Sequence, residues 1–337
     1  MLASFLVPPH PLDLTATPER LHALAQAGVL SPQALERALW LAVASPARPA
    51  WRRFLSAVLL GFGSLLLLSG VIYFFAYNWA ALHRFGKLGL LLGAILASCV
   101  AAWRLGQGLA GQFALLFAAV LVGPLLAVYG QAYQTGADPY GLFLGWALLV
   151  LPWVALARFG PLWLFLLLLV DTALFLYWVQ ILSGEGTALI VLLAGVNGGA
   201  WVVHELLALR GVSWLSGRWL PRVLATMTMA PLLVLGEYVV MVPREADAWS
   251  GLALGLLVVV MVLAYLFHHY VRSELFLLTL DAVSLMMLGT TFVGRFLLKS
   301  VDLDAEPFSI IMALLIIGEV GLTVFWLRAE ARGPEEI

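Results

Sequence analysis

The chain has 337 residues, of which 63% are hydrophobic and only 11% charged, with a formal net charge of −1 and a mean hydropathy of +1.01. A soluble globular domain carries roughly 25% charged residues, so this composition excludes that class and belongs to a membrane. The near-zero charge supplies no global pull toward nucleic acid, and the single cysteine, Cys99, excludes an intramolecular disulfide or a Cys-based zinc site.

In chain order, "MLASFLVPPHPLDL" lacks a charged n-region and is broken by Pro8, Pro9 and Pro11. That pattern argues against a cleaved signal peptide, and the first membrane helix is expected to direct insertion. "TPERLHALAQAG" opens on Thr17 as N-cap with Pro18 at the first helical position, and Gly28 closes it; "SPQALERALWLAVAS" repeats the signal with Ser31 and Pro32. Leu21 and Leu24, then Leu35, Leu39 and Val43, give each helix an apolar stripe. Both are too short to cross a bilayer, which takes about 20 apolar residues. Residues 1–50 are therefore read as a short cytoplasmic helical hairpin.

From Phe54 onward the sequence predicts ten spans: 54–78, 85–103, 112–133, 140–157, 161–182, 187–208, 219–241, 250–267, 274–297 and 308–327. Backbone groups in lipid must pair internally, and near-continuous apolar runs of this length are helices, because barrel strands would alternate. The expected fold is all-α and polytopic, an integral membrane protein of about ten transmembrane helices. The chain is divided into the hairpin, a four-helix membrane unit over 51–160, and six further helices with a short cytoplasmic tail over 161–337.

Lysine and arginine placement sets the expected orientation. One side holds Arg20, Arg37, Arg48, Arg52, Arg53, Arg104, Arg158, Arg210, Arg218, Arg222, Arg272, Arg328 and Arg332; the other holds Arg84, Lys87, Arg244, Arg295 and Lys299. Thirteen against five places the first side, and with it both termini, in the cytoplasm. Small residues four apart (Gly89, Gly93 and Ala97; Gly195 and Gly199; Gly251 and Gly255) are the candidate close contacts between helices. Pro124, Pro152 and Pro231 fall inside spans and should kink them.

The most polar run of the first half is "GQAYQTGADPY", residues 130–140. Gly136 suits a left-handed cap, Asp138 an N-cap, Pro139 a first turn and Tyr140 the membrane interface. Gln131, Tyr133 and Gln134 carry polarity a further turn down the third span, so with Asp138 and Tyr140 they are candidates for an outer vestibule as well as a plain turn. This run, with "AGVLSPQALERAL", "SGVIYFFAYNW" and "RFGKL", resembles the bacterial polytopic membrane proteins catalogued as domain of unknown function 2157. The resemblance spans about residues 18–157. Its clearest motif falls on Gly130, Gln131, Tyr133, Gly136, Asp138, Pro139 and Tyr140. It implies a multi-pass protein of the bacterial inner membrane and assigns no activity.

Ionisable groups within spans cost about 2.5–3.5 kcal/mol near a helix centre and are functional candidates by default. Asp171, Asp281 and Glu319 qualify as a proton or ion relay. Asp281 is nine residues from Arg272 and Glu319 nine from Arg328, which predicts similar depth on antiparallel neighbours. Asp171 and Asn197 are each thirteen from an arginine and should sit deeper. Protonated, Asp281 and Glu319 would serve as interhelical glue; alternating between states, they would move protons or bind a cation. Glu237 is placed to pair with Arg295. The "HELLA" at His204–Glu205 lacks the second histidine of a zinc-protease helix. His268 and His269 point apart and belong to a solvated interface. No paired serine and histidine pattern and no phosphate-binding glycine loop with lysine appears.

Three functions follow as expectations: a secondary transporter or channel using the intramembrane acids; a non-transporting scaffold or assembly factor that holds a partner through the hairpin or the outer turn; and, least supported, an intramembrane enzyme. No cofactor or metal is expected. The expected partner is the lipid bilayer rather than nucleic acid, with protein partners unassigned and a homo-oligomer left open.

Overall fold

A computed structural model describes residues 16, 18–44, 48–77, 83–134, 138–299, 301 and 304–332. Thr17, Gly136 and Asp302 lie outside them. The described residues form twelve α-helices, and no strand occurs among them. The chain divides into two compact units, Met1–Phe74 and Phe75–Ile337.

The first unit holds α1 (Pro18–Gln26), α2 (Pro32–Ala44) and most of α3 (Arg48–Tyr77). The hairpin forms as its punctuation dictates. Gly28 turns the chain at φ +73°, which a glycine adopts without Cβ strain. Ser31 Oγ accepts the amide of Ala34 at 3.2 Å and so caps α2. Leu21 is buried whereas Leu24 is exposed, so the α1 stripe is narrower than its spacing suggests.

The second unit runs α4 (Arg84–Leu105), α5 (Leu109–Tyr133), α6 (Pro139–Ala157), α7 (Gly160–Tyr177), α8 (Gly186–Leu209), α9 (Trp219–Met241), α10 (Ala248–Tyr270), α11 (Leu275–Lys299) and α12 (Ala305–Arg332). All nine are long and apolar enough to cross a membrane, α7 together with the π-helical turn Trp178–Leu182 that extends it. α3 contributes a shorter apolar stretch, Phe54–Gly70. Nine of the ten predicted spans fall on α4 to α12, and the other, 54–78, falls on α3, which has only the shorter apolar stretch among the described residues.

Neighbours in sequence are neighbours in space: α4 packs on α5, α5 on α6, α6 on α7, and α8 on α9, while α9 also meets α10 and α11, and α11 meets α12. The apolar core of the second half is drawn from α8 to α11, with Trp201, Leu224, Met229, Leu232, Leu257 and Leu277 among its members. The prolines sit where expected, inside α5, α6 and α9.

The small-residue expectation is corrected. A Cβ built on Gly89, Gly93, Gly195, Gly199, Gly251 or Gly255 meets nothing within 4 Å among the described residues. The close approaches use other glycines. A Cβ on Gly123 of α5 would lie 2.2 Å from the Trp146 indole of α6, which is anchored there by donating Nε1–H to Ala119 O at 2.7 Å. Gly198 of α8 lies against Thr228 of α9, and Gly294 of α11 against Met312 of α12. Four-residue spacing puts two small residues on one face, but says nothing about which face another helix covers.

Candidate functional site

The intramembrane acids meet three different fates. On α7, Asp171 Oδ2 accepts from Asn197 Nδ2 of α8 at 3.0 Å, and the same Nδ2 donates to Leu193 O at 2.8 Å. The equal depth predicted for these two residues thus becomes a bond. On α12, Glu319 Oε2 accepts from Thr290 Oγ1 of α11. Asp281 has no such partner: it is 6% exposed, and neither carboxyl oxygen has a hydrogen-bond partner among the described residues.

Asp281 and Glu319 are not brought together. Thr290 lies nine residues beyond Asp281 on α11, which at about 1.5 Å per residue is roughly 13 Å. Two features shift the register. Arg272 to Glu274 form a turn before α11 begins at Leu275, so those residues add no helical rise. At the same end α12 continues to Arg332, where Glu330 Oε1 meets His269 Nδ1 at 2.7 Å. The level of Asp281 is instead matched by Thr323 and Trp326, which share a cavity with it.

That cavity, of about 530 Å³, opens between α10, α11 and α12. Its walls include Met261, Tyr265, Leu278, Met286 and Trp326, and Asp281 is the one charged residue among those lining it. Thr323 Oγ1 is already engaged with Met286 Sδ at 3.1 Å. Tyr265 and Trp326 rings stand 6.1 Å apart, forming an aromatic side to the space. The result is an apolar recess, open beside the exposed Leu285 and Leu322, with an acid that is unbonded among the described residues.

A second polar constellation lies at the end where α8 and α10 finish and α9 and α11 begin. Glu274, just before α11, accepts from Arg218 Nε at 2.6 Å on Oε2, and from Arg222 Nε and Nη2 at 2.9 and 2.6 Å on Oε1. Glu205 of α8 receives Arg218 at 3.3 Å and Arg272 at 3.1 Å. Both acids are buried. Glu274 favours the positive N-terminal end of α11 and Arg272 the negative C-terminal end of α10, whereas Glu205, near the C-terminus of α8, opposes its helix dipole and is offset by two guanidiniums. Burial pushes the Glu274 carboxyl up, but the bonds and charges of Arg218 and Arg222 outweigh it and hold it below the usual glutamate range. Every acid oxygen here is taken by arginine, so the cluster is a clamp between helices rather than a proton acceptor.

The clamp borders a larger apolar cavity of about 700 Å³ between α8, α9 and α10, lined in part by Trp201, Glu205, Thr228 and His268. His268 is not solvated as expected. It is 1% exposed, lies flat against Trp201 at 8° and 6.0 Å, and has Nδ1 3.2 Å from Arg272 O. His269 does point away from it, toward Glu330. His204 lines a third cavity of about 310 Å³, with both ring nitrogens unpartnered among the described residues. Among the described residues no group of three or more histidine, cysteine or acidic side chains is placed to hold a metal ion.

The remaining predicted residues act as helix ends. Gln134 is the left-handed C-cap of α5, at φ 48° with its amide on Gly130 O. Asp138 precedes α6, with Pro139 in the first turn, but its side chain makes no capping bond. Gln131, Tyr133 and Gln134 are exposed; Tyr133 leans on Tyr129 at 4.7 Å and Tyr140 meets Tyr177 edge-on at 5.2 Å. None of these five lines the three cavities described. The expected pair of Glu237 and Arg295 does not form: Arg295 Nη1 donates to Val240 O at 2.8 Å, one of the last four carbonyls of α9, which lack helical partners.

Sequence reading counts Arg218, Arg222 and Arg272 as markers of the cytoplasmic side, and Arg272 also as the depth reference for Asp281. The signal it missed was two glutamates, Glu205 and Glu274, within reach of those arginines at adjacent helix ends.

No curated protein and no solved structure matches the chain. A family model does, over the stretch that carries the polar run between α5 and α6. Residues 22–163 of this multi-pass membrane protein match the family described as Predicted membrane protein (DUF2157).

Proposed function

We propose that the chain is a secondary transporter or channel of the bacterial inner membrane, with both termini in the cytoplasm and Asp281 as the group that exchanges a proton or cation. The observation that carries this reading is the Asp281 carboxyl, 6% exposed, unbonded and bordering a cavity of about 530 Å³. An ionisable group inside a span costs free energy, and one without a structural partner is by default a candidate for function. Asp171 and Glu319 are already bonded to Asn197 and Thr290, which narrows the relay expected from sequence to Asp281. The orientation rests on the thirteen-to-five distribution of basic residues, and the inner membrane on the resemblance of residues 22–163.

The test is flux. The full chain is reconstituted in proteoliposomes loaded with a pH-sensitive dye, and an imposed potential drives proton movement. Asp281-dependent flux is expected, lost in Asp281→Asn and retained in Glu319→Gln. Flux that survives Asp281→Asn, or its absence from the unaltered protein, overturns the reading. Absence of flux transfers support to the scaffold function, whose candidate contact surfaces are the hairpin and the turn at Gly130–Tyr140.

A further inference from the structure

We propose that the Asp281 cavity binds a lipophilic organic monocation, of the quaternary phosphonium or alkyl-substituted ammonium kind. This names the ligand class of the site described above and rests on reading Asp281 as its functional acid.

The cavity selects by charge first. Among the described residues lining it Asp281 is the one charged residue, and its two oxygens, buried and without a hydrogen-bond partner among those residues, leave the carboxyl to be matched by a ligand in the space. An anion would face an uncompensated carboxylate. A small inorganic dication is equally ill served, because magnesium or calcium takes about six or more oxygen ligands. Here the carboxyl supplies two, and the Thr323 hydroxyl, which donates its proton to Met286 Sδ, at most a third.

The walls select by polarity and shape. At about 530 Å³ the space falls within the range of small-molecule sites, about 300–1,000 Å³. Its lining is apolar apart from Asp281 and Thr323, with Met261 and Met286 as adaptable side chains. Tyr265, stacked on His269 through one face, and Trp326 stand together at one side as an aromatic wall, and the faces of such rings attract cations by their quadrupole. A cation whose charge is spread under apolar substituents satisfies all three features: it neutralises the acid, needs no hydration shell, and buries its substituents.

The experiment measures equilibrium dialysis of tetraphenylphosphonium against the full chain in detergent, with tetraphenylborate as a probe of nearly the same shape and opposite charge. Saturable phosphonium binding is expected, weakened at least tenfold in Asp281→Asn and severalfold in Trp326→Leu, with helical content and thermal midpoint checked for each variant. Tetraphenylborate is expected neither to bind saturably nor to displace the phosphonium. Equal phosphonium affinity in Asp281→Asn, saturable binding of both ions, or no saturable binding overturns the proposal. Should Asp281→Asn fail to fold, Trp326→Leu and the two probes on the unaltered chain decide it. Phosphonium binding without Asp281-dependent flux removes the transport reading and leaves the site; flux without binding removes the site and leaves transport.

Discussion

Arg218 Nε donates to Glu274 Oε2 at 2.6 Å, joining the start of α9 to the start of α11 across 56 positions of chain. With Arg222 on the other oxygen, the Glu274 carboxyl is held below the ordinary glutamate pKa of about 4.3 against the opposing effect of burial. A depressed folded-state pKa contributes stability that is complete above the unfolded value and is lost as pH falls through the folded one. The detergent-solubilised protein should therefore lose thermal stability as pH drops below about 4.3, and Glu274→Gln should flatten that part of the profile. At neutral pH the same substitution removes charge-assisted bonds worth about 1.5–3 kcal/mol. A profile in Glu274→Gln that parallels the unaltered protein would show that the clamp carries no such linkage.

Asp171 and Asn197 tie α7 to α8 inside the membrane. Interhelical hydrogen bonds measured by double-mutant cycles in a membrane protein average about 0.6 kcal/mol and reach about 1.7. The cycle Asp171→Ala, Asn197→Ala and both together should yield a coupling of that size in unfolding free energy. Strict additivity would mean that the contact is geometrically present and energetically silent.

How much of this was legible beforehand differs by level. Helix bounds were readable because the apolar runs are interrupted by Pro, Gly and charge at each end: 219–241 was expected and Trp219–Met241 found. The common depth of Asp171 and Asn197 was readable for the same reason, since depth follows from counting residues inward from a boundary arginine, but the bond between them was not. Counting failed at Asp281 and Glu319 because Arg272 sits in a turn rather than in α11. Side-chain targets were not legible at all. Arg295 chose the Val240 carbonyl over Glu237, and the tight glycine proved to be Gly123 rather than those in four-residue series. In both cases the decision depends on which helix face is covered, a property that hydropathy does not carry when every face is apolar.

Gly123 is where α6 locks onto α5. A methyl group there would overlap the Trp146 indole, which is held in place by its bond to Ala119 O. Overpacking of this kind costs about 1–3 kcal/mol. Gly123→Ala is expected to lower the thermal midpoint followed by far-ultraviolet circular dichroism. Trp146→Ala alone should also destabilise, through the cavity it leaves. The two together should cost clearly less than their sum, because removal of the indole relieves the clash and the added methyl group fills part of the cavity. Additive losses would mean that the cost of Gly123→Ala does not come from contact with the indole.

The register of α11 against α12 offers a direct check on the acids. Glu319 is bonded to Thr290, whereas Asp281 lies nine residues away on α11, about 13 Å along the helix axis. In a Cys99→Ser background, cysteines at 290 and 319 should be joined by a bifunctional thiol reagent of short reach. Cysteines at 281 and 319 should not be, whereas cysteines at 281 and 326 should, because Asp281 and Trp326 line the same cavity. Efficient joining of 281 to 319 would return the two acids to a common level, revive a shared proton between them, and remove the isolation of Asp281 on which its assignment as the exchanging group depends.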